Sequence, residues 1–131
     1  MKSKFLKISS NVNGIVLIII GLIHTKATFF FYPKWSKNAP PQEALENAYF
    51  FAFMGIALIF AGITILYVTK KSSIDLKDKK SILKIQNLLV CITLIGALFI
   101  SLYNVFSVIL ILASLVNLVS IFTDKNQVQP A

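Results

Sequence analysis

The sequence predicts an all-α integral membrane protein, a four-helix bundle with both termini in the cytoplasm. Three observations carry that expectation. Hydrophobic residues make up 56% of the chain against 14% charged, where soluble domains average about 25% charged. The mean hydropathy is +0.78. The charges also avoid four long apolar stretches and gather between them. A water-soluble enzyme, a disordered tail and a disulfide scaffold are excluded. With 131 residues, a single transmembrane domain over 1–131 is expected.

The spans follow in order: Asn11–Tyr32, Ala48–Val68, Ile85–Tyr103 and Val105–Phe122. Each is close to the roughly 20 residues that a helix needs to cross hydrocarbon. As one helix, the last two would measure about 57 Å at 1.5 Å per residue, nearly twice a bilayer core. A tight hairpin is therefore expected at Ser101-Leu102-Tyr103-Asn104. Helices are the default because a lipid-exposed backbone must satisfy its own hydrogen bonds.

Between the first two spans, Pro33, Pro40 and Pro41 predict an extended loop over 33–47, with the second helix starting near Gln42. Tyr32, Trp35, Tyr49 and Tyr67 suit an interfacial aromatic belt. The second connection, Lys70–Lys84, holds six Lys and two Asp. It can rest on anionic headgroups, and Asp75 and Lys79 would pair if it is helical.

Orientation comes from Lys counting. Lys2, Lys4, Lys7, Lys70, Lys71, Lys77, Lys79, Lys80, Lys84 and Lys125 fall on one side, and Lys34 and Lys37 on the other. The positive-inside rule places the first set in the cytoplasm, giving a multi-pass plasma (inner) membrane protein with N-in/C-in topology. An N-terminal signal peptide is the rival reading, with Thr25-Lys26-Ala27 as its cleavage site. The apolar run resumes from Ala27 to Tyr32, so retention is expected. The net charge of +8 comes entirely from Lys, without Arg. That leaves no bidentate guanidinium for nucleic acid, and no nucleic-acid partner is expected. The single Cys91 has no disulfide or zinc partner in the pattern.

Small and polar residues form stripes at a 3,4 spacing. In the first span these are Asn11, Gly14, Ile18, Gly21, Thr25, Thr28 and Tyr32; in the second, Ala48, Ala52, Gly55, Ile59 and Gly62. Such stripes permit close helix packing in lipid. Thr93, Ala97, Ser107, Ser114 and Asn117 extend the pattern, and Asn87 and Asn117 are candidate interhelical donors.

His24 and Lys26 are the ionisable residues well inside a span, which makes them functional candidates by default. They differ by about 200° around a helix. Lys26 can snorkel outward, whereas His24 faces the stripe about 12 Å below Tyr32. A neutral, hydrogen-bonded imidazole is one reading of His24, and a proton-responsive or ligand-contacting group is the other. Glu43 and Glu46 could join it if the outer helix ends splay. No catalytic residue, metal site or cofactor is implied. The first span has no embedded carboxylate, which argues against small multidrug-resistance exporters.

Gly21-Leu22-Ile23-His24, followed by Tyr49-Phe50-Phe51-Ala52-Phe53-Met54-Gly55 and Gly62, resembles small DoxX-like four-helix bacterial inner-membrane proteins. The resemblance covers about the first half of the chain and implies a bacterial inner-membrane location. It transfers no functional residue, because the basic residue expected at the start of the first span is absent. The function expected is that of an accessory or interaction protein, of subunit or immunity type. Its partners would be the lipid bilayer and a membrane protein or a second copy. The alternative is a small-molecule or proton-responsive binding or transport bundle using His24. A membrane enzyme with His24 and Glu43 or Glu46 as an acid–base set, and a holin-like pore, complete the range.

Overall fold

The computed structural model describes residues 4–100 and 105–124, the side chains of Trp35, 96–100 and 105–106 excepted. The described chain is all-helical: α1 (Lys4–Asn38), α2 (Pro41–Lys70), α3 (Leu76–Ile100) and α4 (Val105–Thr123). The hairpin expected at Ser101–Asn104 lies outside the described residues, as do Lys2 and Lys125. Helices α1 and α2 are each long and apolar enough to cross a membrane; the apolar stretch of α4, Ser107–Thr123, is shorter.

The expected 33–47 loop is not formed. Helix α1 continues through Pro33 to Asn38, and only Ala39 and Pro40 separate it from α2. A proline costs the helix its own amide bond, but here the following turn has other support. Ser36 Oγ donates to the Pro33 carbonyl at 3.1 Å, and Asn38 Nδ2 donates to the Lys34 carbonyl at 3.1 Å. Both carbonyls thereby gain a second donor beside the amide four residues on, whereas the carbonyl that Pro33 leaves without an amide is that of Phe29. Pro41 opens α2, where a missing amide hydrogen costs nothing.

The basic connection also proves shorter than Lys70–Lys84, because α3 begins at Leu76. Its early turns are built from good helix formers, and their buried face comprises Leu76 in part, then Lys79 and Leu83. The anticipated Asp75–Lys79 side-chain pair is absent. Asp75 precedes the helix, and only its carbonyl is engaged, by the Lys79 amide at 2.9 Å.

Helix α1 packs on α2, α2 on α3, α3 on α4, and α4 on α1. The α1–α2 contact is backbone-close. A Cβ added to Gly21 would lie 2.6 Å from the Gly55 carbonyl oxygen, and one added to Gly62 would lie 2.5 Å from that of Gly14. The register is antiparallel, Gly14 opposite Gly62 and Gly21 opposite Gly55. Apolar side chains including Leu17, Ile65, Leu83 and Leu110 fill the interior.

The two hairpins differ in reach. Helix α1 runs about 37 Å from Asn13 to Asn38, whereas α3 runs about 20 Å from the facing Asn87 to Ile100. From Ser114, also beside Asn13, α4 extends back about 14 Å to Val105. The α1–α2 hairpin therefore reaches about 17 Å past Ile100, the last described residue of α3.

Candidate functional site

His24 is half-buried, with its ring stacked on Phe51 of α2 at 3.8 Å between centroids and 18° between planes. The antiparallel register makes this contact: Gly21 opposite Gly55 sets His24 level with the turn around Phe51 and Ala52. One turn on, Thr28 Oγ1 donates to the His24 carbonyl at 3.3 Å, and Thr25 Oγ1 donates to that of Gly21 at 2.9 Å. Thr25 also lies directly against Gly55. Lys26 is exposed on another face.

Glu43 and Glu46 are not brought to His24. Both are exposed near the start of α2, and Glu46 Oε1 accepts from Gln42 Nε2 at 3.1 Å. Along the helix axis Glu46 lies about 9 Å, and Glu43 about 13 Å, beyond the His24 level. With only Ala39 and Pro40 between them, the outer ends of α1 and α2 are held close, and among the described residues no splayed cavity gathers these groups. Between them lies a shallow apolar groove of about 310 Å³ lined by Thr28, Phe29, Tyr32, Leu45, Ala48, Tyr49 and Ala52. Among the described residues, no three His, Cys, Asp or Glu side chains gather where they could hold a metal ion.

The most organised polar constellation lies at the other end, where the termini meet. Ser9, Ser10 and Asn13 of α1 face Asn87 of α3 and Ser114, Asn117 and Ser120 of α4, all buried. Ser10 Oγ donates to Asn117 Oδ1 at 2.9 Å, and Ser9 Oγ meets Ser120 Oγ at 2.6 Å. Asn13 Nδ2 donates to Asn87 Oδ1 at 2.6 Å, while Ser114 Oγ donates to Asn13 Oδ1 at 3.4 Å. Asn87 and Asn117 were expected to donate between helices, but each accepts there instead. The Asn87 amide hydrogen goes to its own helix, at the Leu83 carbonyl, 2.6 Å away. Asn117 Nδ2 is buried without a partner.

Sequence reasoning missed Ser9, Ser10 and Asn13. Their 3- and 4-residue spacing puts them on one face, but that face precedes the apolar run and reads as a polar tail. Asn11, selected instead, is half-buried, and its Oδ1 is unpartnered. Thr93 turns outward and bonds its own helix, at the Leu89 carbonyl; the side chain of Ala97 lies outside the described residues.

Chemically, the cluster is a set of neutral donors and acceptors that fix helix register and, Asn117 Nδ2 apart, satisfy one another. His24 offers an aromatic contact surface. No family model, curated protein or solved structure matches the chain.

Proposed function

We propose that this chain is a multi-pass bacterial inner-membrane protein, a four-helix bundle with both termini in the cytoplasm, that acts as an accessory component bound to a partner membrane protein. The observation that carries the reading is its reversed polarity. Asn13, Asn87, Asn117 and their serine partners lie inside, while large apolar side chains face outward on every helix. Phe29 is 77% exposed, Phe53 69%, Ile92 66% and Phe122 65%. Water penalises contiguous apolar surface on this scale, whereas hydrocarbon solvates it and lets small residues and polar contacts hold the helices together.

The accessory role is supported by the unequal hairpins. With Lys4, Lys7, Lys70 and Lys84 at the cytoplasmic surface, a bilayer core about 30 Å thick ends near Tyr32. The remaining turns of α1 and the first of α2 then stand in the outer aqueous layer, above the shorter α3–α4 hairpin. Phe30, Tyr49 and Phe50, all exposed, ring the base of this projection, where a neighbouring membrane protein can pack. The chain offers its partner a rigid two-helix post.

The test is a photoreactive phenylalanine analogue at Phe50, irradiated in intact host membranes, with native mass spectra of the gently extracted protein. A discrete protein adduct with matching stoichiometry in the mass spectra is expected. Lipid adducts alone, on a monomer, would overturn the accessory reading. Reporter fusions at Ala39 and after residue 131 test the topology separately, the first being expected outside and the second inside.

A ligand-contacting His24 is the second reading, favoured by its half-buried ring stacked on Phe51 at 3.8 Å. A small molecule that co-purifies with the wild-type chain and is lost in His24→Ala would select it.

A further inference from the structure

The outward edges of α1 and α2 carry opposite charge. On α1, Ile19, Ile23, Lys26, Phe30, Lys34 and Lys37 recur at steps of three or four and fall within about 80° of the helix circumference, centred opposite Gly21. On α2, Glu43, Glu46, Phe50, Phe53 and Ala57 step by 3,4,3,4 and fill a stripe of similar width opposite Gly55. All of these residues are exposed. Gly21 and Gly55 face each other, so the two stripes lie on opposite edges of the hairpin and cannot meet within one chain. Among the described residues, neither these lysines nor these glutamates form an ion pair. Glu46 is engaged only by the uncharged Gln42.

The two edges also match in height. Gly14 opposite Gly62 and Gly21 opposite Gly55 put Ile19 level with Ala57, Ile23 with Phe53, Lys26 with Phe50 and Phe30 with Glu46. Lys34 comes within about 2 Å of the level of Glu43. A second copy at the same depth, its α2 edge against this α1 edge, therefore brings Lys34 to Glu43 and sets Phe53 beside Ile23. Lys26 gains an aromatic face in Phe50, where a lone chain leaves its ammonium on an apolar edge. Like edges reject each other. Two α2 edges at equal depth would oppose Glu43 to Glu43 and Glu46 to Glu46, and two α1 edges would oppose lysines. Exposed ion pairs add little affinity, so they choose partner and direction while the apolar rows supply the contact.

We propose that copies of this chain associate head to tail in the membrane, the α1 edge of each on the α2 edge of the next. Such an interface is heterologous, and closing a ring leaves no edge unpaired. The inference rests on the membrane reading above and goes beyond the accessory role.

The test uses the full chain in host membranes. In a Cys91→Ala background, chains carrying Phe30→Cys are co-expressed with differently tagged chains carrying Glu46→Cys and oxidised before extraction. A mixed disulfide dimer is expected in at least tenfold excess over the like dimers of either chain. Native mass spectra of the gently extracted wild-type chain are expected to show an oligomer. Reversing one edge, by Lys34→Glu with Lys37→Glu or by Glu43→Lys with Glu46→Lys, should lower that oligomer at least fivefold. Reversing both edges in one chain should restore it. Oligomers that survive both single-edge reversals overturn the proposal, as do like dimers as abundant as the mixed one or a wild-type chain that is only monomeric. A different protein bound to a single chain overturns self-association and leaves the accessory reading standing.

Discussion

Asn13 Nδ2 donates to Asn87 Oδ1 at 2.6 Å, joining α1 to α3 across the diagonal of the molecule. Adjacent helices meet over long faces, so a diagonal contact must come from side chains reaching into the centre. This bond holds the α1–α2 hairpin against the α3–α4 hairpin at a defined height. Slipping either hairpin by one turn would strand both buried amides.

Removing either amide is therefore expected to destabilise the fold. Asn13→Ala and Asn87→Ala should each cost about 1–2 kcal/mol, the range for a buried hydrogen bond whose partner is left unsatisfied. The double variant should cost less than the two singles together. Thermal unfolding of all three in the same detergent measures the coupling, and strict additivity would show that the contact contributes nothing.

The glycine contact between α1 and α2 makes a sharper prediction. A Cβ at Gly21 meets the Gly55 carbonyl at 2.6 Å, which is backbone and cannot rotate away. Gly21→Ala should lower stability by about 1–3 kcal/mol through overpacking, despite the higher helix propensity of Ala. Gly21→Leu and Gly55→Leu should separate the helices outright. Unchanged melting in all three would refute the close approach.

Lys80 and Asp124 close the termini end. Lys80 Nζ lies 3.2 Å from the carboxylate and donates to the Asp124 carbonyl at 2.6 Å, bridging the start of α3 and the end of α4. The Asp124 side chain is only 4% exposed, so an unpaired carboxylate there is costly. Lys80→Ala should destabilise by about 1–3 kcal/mol, and adding Asp124→Asn should recover part of the loss. Hydrogen exchange in the last turn of α4 should rise in the single variant.

His24 can be tested by separating its shape from its nitrogen atoms. His24→Phe keeps an aromatic ring against Phe51 and should hold wild-type stability, whereas His24→Ala should lose about 1 kcal/mol, a typical aromatic-pair contribution. Partner binding unchanged in His24→Phe would assign the residue to packing. Loss of a ligand in that variant, with its melting unchanged, would assign the imidazole a chemical role.

Gly14, Gly21, Gly55 and Gly62 could be recognised along the chain because helical periodicity is local: residues three and four apart must share a face. The length and hydropathy of α1 and α2 are equally local properties. Pro33 misled because its breaking tendency is local too, while the support from Ser36 and Asn38 requires the turn to have formed already. Ser9, Ser10 and Asn13 sit among tail-like residues, and nothing nearby reveals that α4 returns to cover them.

Helical segments, their apolar surfaces and the small-residue stripes were legible along the chain, since each follows from residue types at fixed spacing on one helix. Which stripe meets which, that Asn117 and Asn87 accept rather than donate, that Glu43 and Glu46 stay away from His24, and that Lys79 is buried while Lys77 is not, came from the assembled fold. Those outcomes depend on the relative height of helices far apart in the chain. That height is set by the packing and hydrogen bonds of the assembled molecule, not by any local preference.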